Sequence, residues 1–337
     1  MNNQLTVSSS PHIRADENTR AVMLDMLIAL AFPLAIALYY FGWRSLSLAA
    51  CCVVCCVVFE YLYRRLLKKP RSLGDLSAPV TGMLFCFILP VATPYWMAAL
   101  GSFFAIVVVK QLYGGLGKNF LNPALAARAF LAGFAVLSVH VAPLAEPRLP
   151  VFGSFDADAI AQATPLSYLK PVEQLRIDHL PLNEFEWWQN LFLGQIPGCI
   201  GEVSAILLLV GGLYLVIRRV ITPRIPFAFI GTVALLTFLF PRGGVDGFSY
   251  MLYNLLSGGL ILGAVFMATD YATSPVTPRG QWIFGIGCGL LTVFFRYFSP
   301  MAEGVCYSIL LMNTVVWTLD RIGAPRRFGR RWPRREG

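Results

Sequence analysis

The sequence predicts an all-α polytopic membrane protein, and two observations lead to that class. Of the 337 residues, 57% are hydrophobic and 13% are charged, whereas a soluble domain carries about 25% charged residues. The polar residues are also clumped, which leaves apolar runs long enough to cross a bilayer core of about 30 Å. The segments predicted to cross the membrane are 22–41, 45–63, 78–92, 95–113, 123–141, 198–217, 225–241, 249–268, 281–297 and 303–319.

The ten predicted segments divide into two sets of five, separated by a long polar stretch. Because five is an odd number, the second set enters the membrane inverted relative to the first. Weak internal similarity supports this arrangement, since Val-Ala-Thr-Pro at 91–94 matches Met-Ala-Thr-Asp at 267–270. We therefore predict two inverted five-helix repeats, 22–141 and 198–320, of the kind that usually places a site near the bilayer midplane. Chance similarity between apolar segments punctuated by Gly and Pro is the alternative.

The distribution of Lys and Arg predicts the orientation, because these residues gather in cytoplasmic loops. With the N-terminus inside, 20 of the 27 basic residues fall on the cytoplasmic side and six on the other, with Arg128 inside a helix. Ten spans with both termini cytoplasmic follow from this imbalance. Residues 1–21 then form a cytoplasmic tail without the features of a cleaved signal peptide. Residues 142–197 form a periplasmic loop.

The C-terminal tail, residues 321–337, is rich in arginine. A basic tail beside a membrane helix is typical of contact with anionic lipid. We therefore expect membrane lipid as its partner and no nucleic acid.

The predicted cytoplasmic loop before the fifth segment is rich in Gly and Asn. Gly114 and Gly115 allow the backbone to approach a ligand closely, Asn119 offers a side-chain amide, and Asn122 is placed to cap the fifth helix. The string is not a phosphate-binding loop, because the first glycine and the closing Ser or Thr of that motif are missing. A tight helix–helix connection is the alternative, since Gly and Asn mark turns in general.

A second predicted cytoplasmic loop, residues 267–280, is rich in hydroxyl groups and carries one carboxylate at a membrane boundary. Its Thr269, Asp270 and Thr273 lie on the same side of the membrane as the first loop in this topology. The two loops together are therefore predicted to form a second cofactor or loop site on that side.

Ionisable residues in or beside apolar segments are functional candidates, because a charge inside a membrane is costly. Those in or near the predicted helices are Asp25, Glu60, Arg128, Glu202, Asp270, Glu303 and Asp320. Asp25, Asp270 and Asp320 lie at predicted cytoplasmic boundaries and are the ion-coupling candidates. Arg128 is the deepest, about 9 Å along the fifth helix from Asn122 at about 1.5 Å per residue. It belongs to the predicted second cofactor or loop site, as a candidate to contact a flavin, a quinone or a carboxylate.

The string Cys-Cys-Val-Val-Cys-Cys at 51–56 resembles a metal-binding motif. Iron–sulfur and zinc sites need four converging thiolates, but these positions spread over more than one face of a helix. In an apolar run, cysteine behaves as a small hydrophobic residue. We predict no metal site here, and the three histidines of the chain provide no pair of axial ligands for a membrane haem.

Several strings together resemble one protein family. They are Gly-Gly-x-Gly-x-Asn-x-x-Asn-Pro-Ala at 114–124, Ala-Thr-Asp…Ser-Pro-Val-Thr-Pro-x-Gly at 268–280, Pro-Met-Ala-Glu-Gly-Val at 300–305 and Leu-Met-Asn at 311–313. These strings are similar to those of the D subunit of Rnf-type ion-translocating electron transport complexes. The B subunit of the sodium-translocating NADH:quinone reductase is its nearest relative. The resemblance covers nearly the whole chain.

The resemblance implies a covalent cofactor in the predicted periplasmic loop. In the family, a threonine hydroxyl carries FMN through a phosphoester bond, and Thr164 matches that position. Asp158 and Ala163 match as residues of the flavin site or of its recognition, whereas Ala161 and Gln162 replace the Ser or Thr and the Gly of the family pattern. Because a threonine hydroxyl is a poor nucleophile without an activating base, a separate flavin transferase is implied.

The resemblance also implies a function. A protein with cofactors on opposite faces of a bacterial inner membrane would pass electrons through covalent FMN and couple redox change to Na⁺ or H⁺ movement. A second, non-covalent flavin, with riboflavin as a candidate, and other integral and peripheral subunits are further implications. The isolated chain is expected to be inactive. Two alternatives stay open: a flavin-free channel or secondary transporter, and the B subunit of the sodium-translocating quinone reductase.

Overall fold

The computed structural model describes residues 18–69, 73–133, 192, 198–202, 204–242, 246–299 and 304–323. Within these residues the chain is helical and contains no strand, apart from one isolated bridge between Pro90 and Cys199. The all-α prediction is confirmed for this part of the chain.

The described helices are labelled in chain order. They are α1 (Thr19–Phe41), α2 (Trp43–Leu66), α3 (Ser77–Phe87), α4 (Tyr95–Gln111), α5 (Pro123–Ala132), α6 (Ala205–Ile217), α7 (Arg224–Leu239), α8 (Gly247–Leu256), α9 (Leu260–Met267), α10 (Pro278–Phe298) and α11 (Val305–Gly323). The second part of α4, Phe104–Gln111, and most of α9, Gly263–Met267, are π-helical.

Hydropathy and length identify membrane-crossing helices within the described ranges. Helices α1, α2 and α10 are each long and apolar enough to cross a membrane, and the bent pair α8–α9 is a fourth candidate. Helices α3 to α7 are apolar but shorter, at 10–17 residues. The helices overlap all ten predicted segments, but the count of ten spans and the inverted repeats stay predictions.

Large apolar side chains cover the outside of the helix bundle. Examples are Val54, Leu213, Phe227, Leu235 and Phe294, whose exposed fractions range from 55% for Phe294 to 69% for Phe227. A soluble monomer rarely exposes large contiguous apolar surface. The outward-facing side chains therefore suit a hydrocarbon environment, as the sequence predicts.

Side-chain contacts gather several helix ends and loops at one end of the bundle, called here the cavity end. Asp25, near the start of α1, accepts a 3.2 Å hydrogen bond from Arg218, which follows α6. Asp320, near the end of α11, accepts hydrogen bonds from the backbone and the hydroxyl of Thr277, which caps α10. The starts of α1 and α10 and the ends of α6 and α11 therefore share this end.

Other turns meet at the opposite end of the bundle. The backbone N–H of Ile200 donates to the Leu89 carbonyl at 3.1 Å, which joins the segment before α6 to the turn after α3. The Tyr297 hydroxyl donates to the Phe240 carbonyl at 2.8 Å, which joins the ends of α10 and α7. Within the described residues, these contacts gather helix ends at two opposite ends of the bundle, which suits a polytopic arrangement.

Two predicted spans differ from the observed helices. The predicted segment 78–92 is helical only to Phe87, and the chain then turns before α4. The predicted single span 249–268 consists of α8 and α9, which meet at an angle of 62°. The break lies at Gly258 and Gly259, with φ angles of 70° and 63°, a region that glycine enters without steric cost.

Two further boundaries differ as well. The predicted segment 198–217 becomes an α-helix only at Ala205, where the Ser204 hydroxyl accepts a hydrogen bond from the Leu207 N–H at 3.4 Å. The predicted segment 123–141 is described as helix from Pro123 to Ala132, and its remainder lies outside the described residues. Asn122 caps this helix as predicted, since its Oδ1 accepts from the Ala124 and Leu125 N–H groups.

Candidate functional site

A small cavity whose lining combines apolar side chains with several polar groups opens at the cavity end, between α1, α3, the α4–α5 loop and the loop after α9. Its polar lining comes from Ser77, Thr81, Lys110, Asn119, Asn122 and Asp270. The cavity volume is about 40 Å³, and a site needs only about 10–15 Å³ of such volume to hold one water molecule. The cavity therefore has room for a few waters or a small ion, but not for a flavin ring.

Lys110, which lines this cavity, belongs to a buried ion pair with Glu60. The Lys110 Nζ donates to the Glu60 Oε2 at 2.8 Å and to the Ser77 Oγ at 2.6 Å. Lys110 is 2% exposed and Glu60 is fully buried. The Arg64 Nε lies 3.7 Å from the second Glu60 oxygen, and the Ser77 hydroxyl donates to Asp75. A chain of charged and polar groups thus runs from α2 to the cavity.

The backbone of α4 places Lys110 at this cavity. Around Lys110 the helix is π-helical, and the Leu112 N–H donates to the Val107 carbonyl five residues earlier at 3.0 Å. Such turns are rare and frequently occur at functional sites. Lys110 and the next residue, Gln111, are both buried. The π-turns therefore direct two consecutive polar side chains to the interior.

The predicted loop glycines shape the turn after α4 and do not line the cavity. Gly114 and Gly115 have φ angles of 114° and 97°, which lie in the region that favours glycine. A Cβ atom on Gly114 would lie 2.7 Å from the Lys118 side chain, and one on Gly115 would lie 2.9 Å from the Arg64 guanidinium. These glycines therefore allow the loop to fold back over α2.

The two predicted asparagines meet at the cavity. The Asn119 Nδ2 donates to the Leu121 carbonyl at 3.1 Å, whereas its Oδ1 is buried without a hydrogen-bond partner among the described residues. The Asn122 Nδ2 donates to the carbonyl of Met267, the last residue of α9, at 3.2 Å. Asn122 thus caps α5 and ties it to the end of α9.

Asp270 brings the second predicted loop to the same cavity. Burial raises the pKa of the Asp270 carboxyl, whereas a hydrogen bond from the Thr273 hydroxyl, at 3.0 Å, and the Lys110 ammonium lower it. Thr269 lies beside it, with its hydroxyl donating to the Val265 carbonyl. The prediction that the two loops lie together is supported here, since Asp270, Asn119 and Lys110 line one cavity.

Asn313 on α11 links both loops. With its amide oriented to satisfy both groups, its oxygen accepts from the Asn122 N–H at 3.2 Å and its nitrogen donates to the Thr273 carbonyl at 3.0 Å. Glu60 was among the predicted ionisable candidates, whereas Asn313, Ser77 and Lys110 were not predicted as site residues. The signal that could have found Lys110 was likewise a charge inside an apolar run.

The other two predicted ion-coupling carboxylates have structural partners elsewhere. Asp25 accepts from the Tyr214 hydroxyl at 2.8 Å and from Arg218 at 3.2 Å, which ties α1 to α6. Asp320 accepts from the Val276 and Thr277 N–H groups at 3.0 and 3.1 Å. Neither carboxylate lines the cavity.

Arg128 is separated from the two loops. Its Nη2 lies 3.9 Å from the Cys199 Sγ, and Cys199 also bridges to Pro90 at the opposite end of the bundle. Arg128 therefore does not line the cavity formed by the two loops, and its predicted contact with a flavin, a quinone or a carboxylate stays a prediction. Arg128 lies outside the cavity because α5 carries it away from the capping residue Asn122 at the start of the helix.

The remaining predicted site residues are Thr164, Asp158 and Ala163, which lie outside the described residues. The cysteines of α2 are described, and all are free thiols. Cys52 and Cys56 are buried, whereas Cys51 and Cys55 are partly exposed with their sulfur atoms 4.0 Å apart. The four thiols thus occupy two faces of α2, as the spacing predicts. No group of three potential metal ligands occurs among the described residues.

A larger apolar groove lies between α10 and α11. Its volume is about 480 Å³, and its lining includes Phe295, Tyr307, Leu311 and Thr314. Pockets for small organic ligands are usually about 300–1,000 Å³. This groove, in contrast to the polar cavity, has the volume for a ring-sized ligand.

Comparison with known proteins identifies the family. A family model described as "NQR2, RnfD, RnfE family" matches residues 6–329. The chain belongs to this NQR2, RnfD, RnfE family. The match spans both loops of the cavity end and all the described helices, so the resemblance of the sequence motifs is confirmed.

Similar members of the NQR2, RnfD, RnfE family belong to oxidoreductase complexes, each as the D subunit. The chain is 46% identical over 327 residues to that of the Na(+)-translocating ferredoxin:NAD(+) oxidoreductase complex of Acetobacterium woodii, with 96% of this chain and 95% of the relative covered. It is 40% identical to that of the proton-translocating ferredoxin:NAD(+) oxidoreductase complex of Clostridium ljungdahlii, with 98% and 97% covered. The counterpart from the ion-translocating oxidoreductase complex of Stutzerimonas stutzeri is 38% identical, with 92% of each chain covered.

Proposed function

We propose that this chain is the D subunit of an Rnf-type ion-translocating oxidoreductase complex and passes electrons through covalently bound FMN. The observation that carries the proposal is the 46% identity over nearly the full length of a relative of that name. The apolar helices and the polar cavity between them fit a protein that couples electron transfer to ion movement. Other subunits of the complex are its partners, and the isolated chain has no activity.

Thr164 is the proposed site of FMN attachment. Its sequence context, with Asp158 and Ala163, matches the family position where FMN forms a phosphoester with threonine. Because an unactivated hydroxyl is a poor nucleophile, a flavin transferase installs the cofactor. The bound FMN supplies a redox group that accepts and donates electrons. A second flavin, with riboflavin as the candidate, does not fit the cavity of about 40 Å³.

The proposed orientation follows the basic residues. Both termini, the cavity end and the arginine-rich tail lie on the cytoplasmic side of the bacterial inner membrane, where the tail contacts anionic lipid. The 142–197 loop with Thr164 is then periplasmic. The cavity opens toward the cytoplasm, and Asp270 is its acidic group and the proposed ion-coupling carboxylate.

Fluorescence of the denatured protein tests the flavin proposal. The chain is expressed together with its flavin transferase, denatured in SDS and separated on a gel that is illuminated for flavin emission. Wild-type protein should give a fluorescent band, and Thr164→Val should remove it, because the attachment hydroxyl is gone. Ser167→Ala, which removes the nearest other hydroxyl in the segment, is the matched control and should keep the band.

A dark wild-type band, with transferase activity shown on a known substrate, would contradict covalent flavinylation. That outcome would favour a flavin-free channel or secondary transporter. A band that persists in Thr164→Val would place the attachment elsewhere in the chain.

A further inference from the structure

We propose that Lys110 is a tethered cation: a positive charge fixed to α4 that competes with a transported Na⁺ or H⁺ for the cavity around Asp270. This inference rests on the proposed ion-translocating function and adds an element to it. In the absence of an ion, the ammonium interacts with Asp270 as well as Glu60. When an ion enters, electrostatic repulsion confines Lys110 to Glu60.

Lys110 lies between two carboxylates that belong to different halves of the sequence. On one side, its Nζ contacts the Glu60 Oε2 at 2.8 Å. On the other, it lines the same cavity of about 40 Å³ as Asp270. Glu60 is buried behind Lys110 and does not line the cavity. A shift of the flexible lysine side chain between these carboxylates therefore changes the charge that an entering ion meets.

The oxygen atoms of the cavity suit a small hard cation. Asp270 provides a carboxylate, and Asn119, which is 5% exposed, has a buried Oδ1 with no hydrogen-bond partner among the described residues. Ser77 and Thr81 add hydroxyl oxygens to the lining. Hard cations prefer such oxygen ligands. The buried Asn119 oxygen is the independent sign that a cation or its water belongs in this cavity.

The end of α9 adds a further negative potential. Met267 ends α9 just before Asp270, and the C-terminal end of a helix carries a partial negative charge. Broken helices that end within a transporter often contribute such carbonyl ends to Na⁺ or H⁺ sites. The tie from Asn122 to the Met267 carbonyl, 3.2 Å long, holds this helix end against the cavity.

A purely structural role does not account well for the Lys110–Glu60 pair. Removing two charges from water is costly, so a buried ion pair is often no more stabilising than an apolar pair of the same size. Four other charged or titratable groups lie around the pair. These are Arg64 and Cys56 on α2, Asp75 before α3, and Asp270 after α9. A lysine side chain that moves among these groups can therefore act as a switch.

Ion-dependent stability of the purified complex tests the proposal. The thermal midpoint is measured against Na⁺ concentration at constant ionic strength, since a bound ion stabilises the folded state. Lys110→Met should lower the Na⁺ concentration of half effect by about tenfold, which corresponds to about 1.4 kcal/mol, because the competing charge is gone. Lys118→Met, at an exposed lysine in the loop that follows α4, is the matched control and should leave this concentration unchanged.

The double variant Glu60→Gln, Lys110→Met guards against misfolding, because it removes the pair without leaving a buried charge. It should also lower the half-effect concentration, by less than Lys110→Met does. If the coupling ion is H⁺, the loss of the competing Lys110 charge appears instead as a higher midpoint pH of transport in both variants. The tethered-cation proposal would be overturned if both variants kept the half-effect Na⁺ concentration and the midpoint pH of the wild-type complex.

Ion uptake driven by electron transfer in proteoliposomes separates this inference from the proposed function. If the wild-type complex takes up ions but the variants show no shift in half-effect Na⁺ concentration or midpoint pH, only the role of Lys110 is overturned. A wild-type complex that transfers electrons without ion uptake overturns both.

Discussion

At the scale of single residues, buried polar side chains are used to support interrupted helices. Arg44 is 1% exposed, and its guanidinium donates to the Val91 carbonyl at 3.4 Å and the Thr93 carbonyl at 3.2 Å. It also lies 4.5 Å from the centre of the Tyr95 ring. These carbonyl groups lie in the turn between α3 and α4 and need donors, because carbonyl groups shielded from water must be satisfied internally. Arg44 supplies those donors.

Replacement of Arg44 should therefore be costly. Arg44→Met should lower the stability by roughly 1.5–3 kcal/mol, the range for hydrogen bonds to charged groups, measured as thermal midpoint in detergent. Arg65→Met is the matched control on the same helix, because Arg65 is exposed and contacts only the nearby Tyr61 ring and hydroxyl in the described contacts. Similar losses for both variants would contradict this role of Arg44.

Asp320 makes a second residue-level prediction. Within the described part of the chain, its three hydrogen bonds, from the Val276 N–H, the Thr277 N–H and the Thr277 hydroxyl, all end on Oδ1. Asp320→Ala should thus cost about 1–3 kcal/mol by leaving these donors unpaired. Asp320→Asn retains an acceptor oxygen and should cost less. Thermal unfolding of both variants tests this prediction. Equal losses of stability would show that the charge of Asp320 matters more than its acceptor oxygen.

At the scale of elements, close helix packing depends on small residues. Gly285 and Gly289 lie one turn apart on the face of α10 that packs against α7. A Cβ atom on Gly285 would lie 2.9 Å from the Ile225 carbonyl oxygen, and one on Gly289 would lie 3.1 Å from the Phe229 carbonyl oxygen. Small residues spaced in this way allow membrane helices to approach closely. The two glycines therefore set the distance between α7 and α10.

Alanine substitutions at the glycines of this helix pair should differ in their cost to stability, according to what each glycine contacts. Gly285→Ala should lower the thermal midpoint, because the backbone of α7 must move. Gly287→Ala should cost less, since its new methyl group meets only the flexible end of Met312. Gly231→Ala on α7 meets no atom within 4 Å and should be neutral or stabilising by up to about 1 kcal/mol through helix propensity. The same loss at all three positions would contradict a role of close packing.

The break between α8 and α9 shows how an element can be interrupted inside an apolar run. Gly258 and Gly259 adopt positive φ angles there, and the carbonyls freed by the break are bound by Arg296. Its guanidinium donates to the Asn254 carbonyl at 2.6 Å and the Ser257 carbonyl at 3.0 Å. A local glycine pair and a distant arginine thus act together, and hydropathy alone cannot reveal the second.

At the scale of the whole molecule, two ends have different chemistry. The cavity end combines Asp25, Lys110, Asp270 and Asp320 with two loops that contact each other. The opposite end, within the described residues, joins the turn after α3 to the segment before α6 through the Ile200–Leu89 hydrogen bond of 3.1 Å.

The sequence by itself determined the properties that depend on local composition and spacing. Apolar runs predict membrane helices because each residue contributes its own transfer free energy. The Asn122–Pro123 pair predicts the start of α5 because capping acts within a few residues. Motif strings similarly predicted the family. Thr164 and its flavin stay predictions, since they lie outside the described residues.

Only the tertiary structure decided which buried charges meet. Glu60 and Lys110 are 50 residues apart, and the Asp320–Thr277 contact spans 43 residues. Asp25, Asp270 and Asp320 have similar sequence contexts. In the structure, Asp25 and Asp320 each hold two helix ends together, whereas Asp270 lines the cavity. Hydrogen bonds and ion pairs act over a few ångströms, so their partners depend on how the helices pack. Hydropathy reports the environment of a residue, but not its neighbour.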